Sequence, residues 1–247
     1  MSFLLLLAVA PGAYIVYKVY KQDKIEKESR SLIKKLLIAG AITVFPALIF
    51  EIIASVILDS FYESAVISEG LYIFFDAFIG TALVEEGVKF FAMKKITWKN
   101  EEFDYTFDGI VYAVCVSMGF AIIENICYVF ENGVGNALIR AVTAVPGHAV
   151  YGIYMGYYFG CAKLCEAYGE SKNLKSFLKK SLWIPVLLHG FYDYCLMSDS
   201  DFLILAFLIF IIVLFALTLK NIKKFSMRDT SIYDEYTDVS YEESEEV

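Results

Sequence analysis

The apolar positions of this chain fall in long uninterrupted runs separated by short polar segments. Runs of this length predict membrane-spanning helices, because about 20 apolar residues are needed to cross the hydrocarbon core. Seven are expected: a short first span over residues 2 to 20, then Leu36 to Leu58, Leu71 to Met93, Phe107 to Phe130, Ala137 to Ala162, Phe177 to Met197 and Phe202 to Leu219. Ala8-Val9-Ala10 looks like a signal-peptide cleavage site, but no basic segment precedes the first run and Pro11 would follow the cut, so it reads as a span. No internal repeat is visible.

Loop charge orients these spans. Counting basic residues at the span ends with the loops beside them, Lys and Arg number seven (Lys18 to Lys35), zero, three, one (Arg140), five (Lys163 to Lys180), zero and, after the last span, four. Basic loops stay cytoplasmic, which places the N-terminus outside and the C-terminus inside. The expected fold class is therefore all-α: a polytopic membrane protein of about seven transmembrane helices, N-terminus outside, in the plasma membrane.

Composition agrees. Of 247 residues 58% are apolar and 17% aromatic, with a mean hydropathy of +0.58, well above a soluble domain. The net charge of −8 misleads, since residues 226 to 247 hold eight acids and one Arg, −7, leaving −1 for the body. The expected organisation is a transmembrane domain over 1–225 and an acidic cytoplasmic tail over 226–247. The tail is expected to be disordered because it has like charges and no hydrophobic periodicity. Its Tyr233, Tyr236 and Tyr241 read as solvated. Basic residues interleaved with aromatics, as nucleic-acid binding requires, are missing. Cys115, Cys127, Cys161, Cys165 and Cys195 lie in apolar runs without CxxC spacing, and are expected to be packing residues rather than disulfide partners or zinc ligands.

The third run changes the picture. It carries Glu85, Glu86 and Lys89 in its middle, where each charge costs on the order of 2.5 to 3.5 kcal/mol to insert. Helical spacing puts Lys89 one turn from Glu85, a favourable i,i+4 order, and turns Glu86 about 100° away. A buried ion pair that fixes helix packing would account for this run alone. Other apolar runs, however, carry Glu51, Glu124 with Asn125, His148, and His189 with Asp193. The chain has only these two histidines, and both lie inside spans. Acids and histidines on four helices at comparable depth point to one convergent site. His189 and Asp193 are i,i+4, so the carboxylate can hold the imidazole N–H. Gly109 and Gly119 thin the fourth helix for close approach. Pro146-Gly147 before His148 is expected to break the helix ladder, which at depth is tolerated only beside protein or water, and so to place water near His148. Such a set suits hydrolysis: a poorly solvated Glu can take a proton from water while histidines stabilise an oxyanion or protonate a leaving amine. Two His and one Glu are also a zinc-hydrolase ligand set. HExxH, GxSxG and Walker motifs are all absent from the sequence.

In these residues, EEGVK at 85 to 89, FAIIE at 120 to 124 and HGFYD at 189 to 193, the chain resembles PrsW, a bacterial intramembrane protease family within the superfamily of CAAX prenyl endoproteases. Phe107 to Tyr112, Gly119 to Asn125 and Ala10-Pro11-Gly12 add to the likeness, which covers about residues 10 to 195. The resemblance implies that Glu85 and Glu86 are catalytic, with Glu124, His189 and Asp193 completing the site and Lys89, Phe120 and Asn125 supporting it. It implies either a zinc-type metal on His148, His189 and Glu85 or a metal-independent, glutamate-activated water. The implied partner is a single-span membrane protein of the anti-sigma factor class, cut on the extracytoplasmic side. The second motif ends in Glu124 where prenyl endoproteases have His, which disfavours a prenylated substrate. Two other functions use similar residues. A proton-coupled transporter also buries Glu, His and Asp, but inverted repeats and paired broken helices are not visible. A non-catalytic scaffold, like the superfamily relative within gamma-secretase, would not need all three motifs.

Overall fold

The structure, a computed structural model, describes residues 2–233. Helices α1 (Ser2–Gln22), α2 (Arg30–Glu63), α3 (Glu69–Phe75), α4 (Leu83–Thr97), α5 (Asp108–Val142), α6 (Ala144–Ala167), α7 (Ser171–Met197) and α8 (Asp201–Met227) account for almost all of it, and a π-helical stretch, Asp76–Ala82, joins α3 to α4 without a break. With α3, the π stretch and α4 as one rod, the described residues form seven helical units, and the fold is all-α as expected. Three helices, Arg30–Glu63, Asp108–Asn136 and Asp201–Met227, are long and apolar enough on their own to cross a membrane. α4, α6 and α7, which with α5 carry the polar residues singled out above, bury those side chains against neighbouring helices and need not be apolar all round.

α5 is the central element, packed on α1, α2, α4 and α6. Small residues set its distance from them, as expected where lipid tails supply no hydrophobic drive between helices. A Cβ on Gly119 would lie 2.1 Å from the Leu37 carbonyl oxygen of α2, and one on Gly156 of α6 would lie 2.2 Å from that of Gly109. α2 turns an apolar face outward, including Phe45, Ile49, Ile53 and Val56, and α8 does likewise with Leu205, Ile209 and Ile212. Cys115, Cys165 and Cys195 are buried, and all five cysteines are unbridged.

The helix ends next to the basic loops are tied together. Asp229 accepts from the Phe107 N–H at 2.8 Å and the Thr106 hydroxyl at 3.0 Å, and the Ile232 N–H donates to the Asp104 carbonyl at 2.7 Å. Ser29 donates to Glu102 through its N–H and its hydroxyl. The stretch after α8 is thus held to the α4–α5 loop as far as Tyr233, and the rest of the expected disordered tail lies outside the described residues.

The helix boundaries around residue 140 differ from the expected spans. α5 continues past Phe130 and bends at Gly133 (φ 75°, ψ −168°), a left-handed conformation open to glycine. Residues 134–142 then return toward the part of α5 that carries Glu124 before Thr143 starts the next turn.

Candidate active site

The π stretch ends one turn before Glu85, a common device for re-aiming side chains at functional positions. Its Phe78 fits against α7 where Gly190 has no side chain, since a Cβ there would lie 2.4 Å from that ring. This contact brings α4 and α7 together next to His189.

Lys89 is fully buried and donates 2.8 Å to Glu85 Oε2 and 2.9 Å to Glu86 Oε1. One ammonium therefore serves both carboxylates, although they point about 100° apart on the helix. The Lys89 ammonium also lies 3.2 Å from His148 Nδ1 and 4.0 Å over the Phe120 ring. Phe120 offers its negative face to the cation. On α7, His189 Nδ1 is 3.0 Å from Glu86 Oε1 and 4.0 Å from Glu85 Oε2. Its Nε2 lies 3.2 Å from Asp193 Oδ2, close enough for an ion pair but off the line of a good hydrogen bond. His148 Nε2 is 2.8 Å from Glu124 Oε2. All the predicted residues thus meet except Asn125, which is fully buried one position beyond Glu124 and donates to the Ala8 carbonyl at 3.1 Å, tying α1 to α5. Glu51 on α2 forms no hydrogen bond or ion pair among the described residues, but lies within electrostatic reach of Glu85, Glu124, Lys89 and His189.

Two participants were not among the residues expected from the sequence. Arg140, counted above as a loop charge, returns on residues 134–142 to lie 3.0 Å from Glu124 Oε1 and to donate to Asn125 Oδ1 at 3.2 Å. Tyr151 stacks on His189, with ring centroids 4.8 Å apart and planes 18° from parallel. Its spacing of three from His148 on one helix face was the available clue. The expected break at Pro146-Gly147 is also corrected. Pro146 falls in the first turn of α6, where no intrahelical donor is lost, so it starts a helix rather than breaking one.

The donor set fits a divalent metal. Glu85, Glu86, His148 and His189 offer ligand atoms within 4.8 Å of one another, all four residues being buried. Both histidines turn Nδ1 inward and rest Nε2 on a carboxylate, the arrangement that orients metal-ligating imidazoles. Glu86 Oε2 is buried without a hydrogen-bond partner. Four carboxylates (Glu85, Glu86, Glu124, Asp193) against two cations (Lys89, Arg140) leave two negative charges if both imidazoles are neutral, the balance one divalent ion would complete.

An all-α membrane protein with a buried carboxylate–imidazole centre belongs with the intramembrane hydrolases rather than with soluble zinc enzymes. Residues 28–218 match the sequence profile of the PrsW family intramembrane metalloproteases. The chain is 38% identical over 218 residues to Protease PrsW of Oceanobacillus iheyensis, covering 87% of this chain and 93% of that protein. It is 35% identical over 192 residues to Protease PrsW of Geobacillus kaustophilus (78% and 79%), and 32% identical over 205 residues to that of Bacillus subtilis (82% and 88%). No solved structure matches the chain significantly. The chain belongs to the PrsW family.

Proposed function

We propose that the chain hydrolyses a peptide bond of a single-span membrane protein, and that the buried cluster of Glu85, Glu86, Lys89, His148 and His189 does the chemistry. The observation that carries this reading is the meeting of polar residues from α4, α5, α6 and α7 in one connected cluster: Lys89 on Glu85, Glu86 and His148, His189 on Glu86, and Glu124 on His148. Glu85 is the base that takes a proton from the attacking water and returns it to the leaving amine. Glu86, nearer to His189 than Glu85 is, would join His148 and His189 in holding a zinc-type ion. When bound, that ion supplies Lewis acidity toward a carbonyl and acidifies water. Asp193 and Glu124 hold the two imidazoles in position, Arg140 anchors Glu124, and Tyr151 fixes the plane of His189. A second reading, a metal-independent glutamate-activated water, is favoured by one observation: the Lys89 ammonium already lies among the four donor groups.

The remaining parts of the proposal concern sidedness. Seven spans with the N-terminus outside follow from the loop charges, as does a membrane domain over 1–225 with a cytoplasmic tail from 226. At 1.5 Å per residue, His148 lies roughly 6 Å from the start of α6 and His189 roughly 12 Å from the end of α7, both ends facing away from the basic loops. Exposure rises toward that side, with the Glu124 and Asp193 side chains 19% and 21% accessible against 0% for Lys89. Water and an unwound substrate chain enter there. The resemblance to PrsW adds the anti-sigma factor class as substrate, cut at its extracytoplasmic boundary. Purified protein in proteoliposomes with a single-span substrate tests this: cleavage termini on the cytoplasmic side, or turnover unchanged by Glu85→Gln and Glu86→Gln, would overturn it.

A further inference from the structure

α1 and α2 both pack on α5 but hardly on each other. The gap between them is an apolar groove of about 600 Å³, walled by Val9, Val16, Leu37 and Ala41 and floored by Gly119 and Ile122 of α5. Gly119 lets α2 close on α5 at Leu37, and Ala13 and Ala41 line the groove with short side chains. Gly119 and Ile122 lie on the reverse face of the helix from Phe120 and Glu124, so the groove is separate from the site described above. It follows α1 from Val9 to Tyr20 and α2 from Arg30 to Ala41. Eleven residues of helix rise about 17 Å, close to half of the ~30 Å hydrocarbon core. The groove therefore runs the depth of one leaflet, too short for a substrate helix crossing both.

Its only charged lining is at one end. Arg30 and Lys34, one turn apart on α2, are exposed there and form no ion pair among the described residues. Tyr17 and Tyr20 line the same end, in the manner of interfacial aromatics. This is the basic-loop end, the side on which membranes present anionic headgroups, and basic pockets between helices on that side suit such lipids.

We propose that this groove binds one anionic glycerophospholipid, with an acyl chain along Val9, Val16 and Leu37 and the phosphate on Arg30 and Lys34. The bound lipid covers the back of α5 and supports the helix that presents Phe120 and Glu124. The test is native mass spectrometry of the purified full chain, delipidated and then titrated with phosphatidylglycerol or phosphatidylcholine of matched acyl chains. Wild-type protein should hold phosphatidylglycerol in preference to phosphatidylcholine. Arg30→Ala with Lys34→Ala should weaken phosphatidylglycerol about thirtyfold, to the phosphatidylcholine level. Ala13→Phe, which fills the groove and keeps both cations, should weaken both lipids, with circular dichroism showing that each variant keeps its helix content. Equal retention of the two lipids by wild type would overturn the proposal. So would loss in the charge variant with none in Ala13→Phe, which would mean attraction to surface charge without a groove.

Discussion

The Lys89 ammonium and His148 Nδ1 face each other at 3.2 Å. An ammonium can only donate, so Nδ1 must offer its lone pair and the imidazole proton sits on Nε2, toward Glu124. That same lone pair is the one a metal would use. Lys89 and a divalent ion therefore compete for a single acceptor, and the site holds either its own ammonium or a metal at that position.

The carboxylates that hold the two imidazoles predict how metal binding responds to substitution. Asp193→Asn and Glu124→Gln, which touch the histidines rather than the ion, should each lower zinc affinity by about 10- to 100-fold, read by chelator competition on purified protein. Active protein with no stoichiometric metal would favour the glutamate-activated water instead.

Glu85→Gln should reduce cleavage by at least about 10²-fold, the usual contribution of a general base. Expression and folding should be retained, because a neutral amide is cheaper in the membrane than a carboxylate. Normal turnover would remove Glu85 from the mechanism.

Arg140→Lys keeps the charge but loses the two-point hold on Glu124 and Asn125. Turnover should fall about tenfold with little change in KM, because Arg140 acts through Glu124 and His148. A change confined to KM would place Arg140 in substrate binding.

At the opposite end, burial raises the Glu28 carboxyl from 4.5 to about 8, with Glu102 and Asp23 adding to the rise. Asp23 is raised to about 6 by the same cause. Both bind more protons folded than unfolded, so their contribution to stability is greatest below their unfolded values and is lost as pH climbs to about 8. Thermal unfolding should accordingly occur at lower temperature at pH 8.5 than at pH 6, and Glu28→Gln should flatten the difference. A flat wild-type profile would mean these carboxyls are ionised throughout.

Topology is open to direct measurement. Ser64 and Ser171 are both exposed, at the end of α2 and the start of α7. As single cysteines in a cysteine-free background they should label from outside and from inside respectively. The reverse pattern would invert the assigned orientation and the side of cleavage with it.

Relations within one helix were legible in the sequence, because a 3.6-residue period fixes them before any packing occurs. The Glu85–Lys89 pair, the His189–Asp193 pair, the order of seven apolar runs and the close approach at Gly109 and Gly119 all follow from spacing alone. The pairing of Glu124 with His148, the reach of Lys89 to that imidazole and the stacking of Tyr151 on His189 were decided only by the tertiary structure. Each depends on how far one helix is rotated against another, which here is set by backbone contacts at glycines and by Phe78 against Gly190. Arg140 shows the limit most directly. The sequence places it near the start of a fifth span, Ala137 to Ala162, and only the turn at Gly133 returns it to Glu124. No local period encodes that reversal, because it is a single backbone angle that only glycine readily adopts.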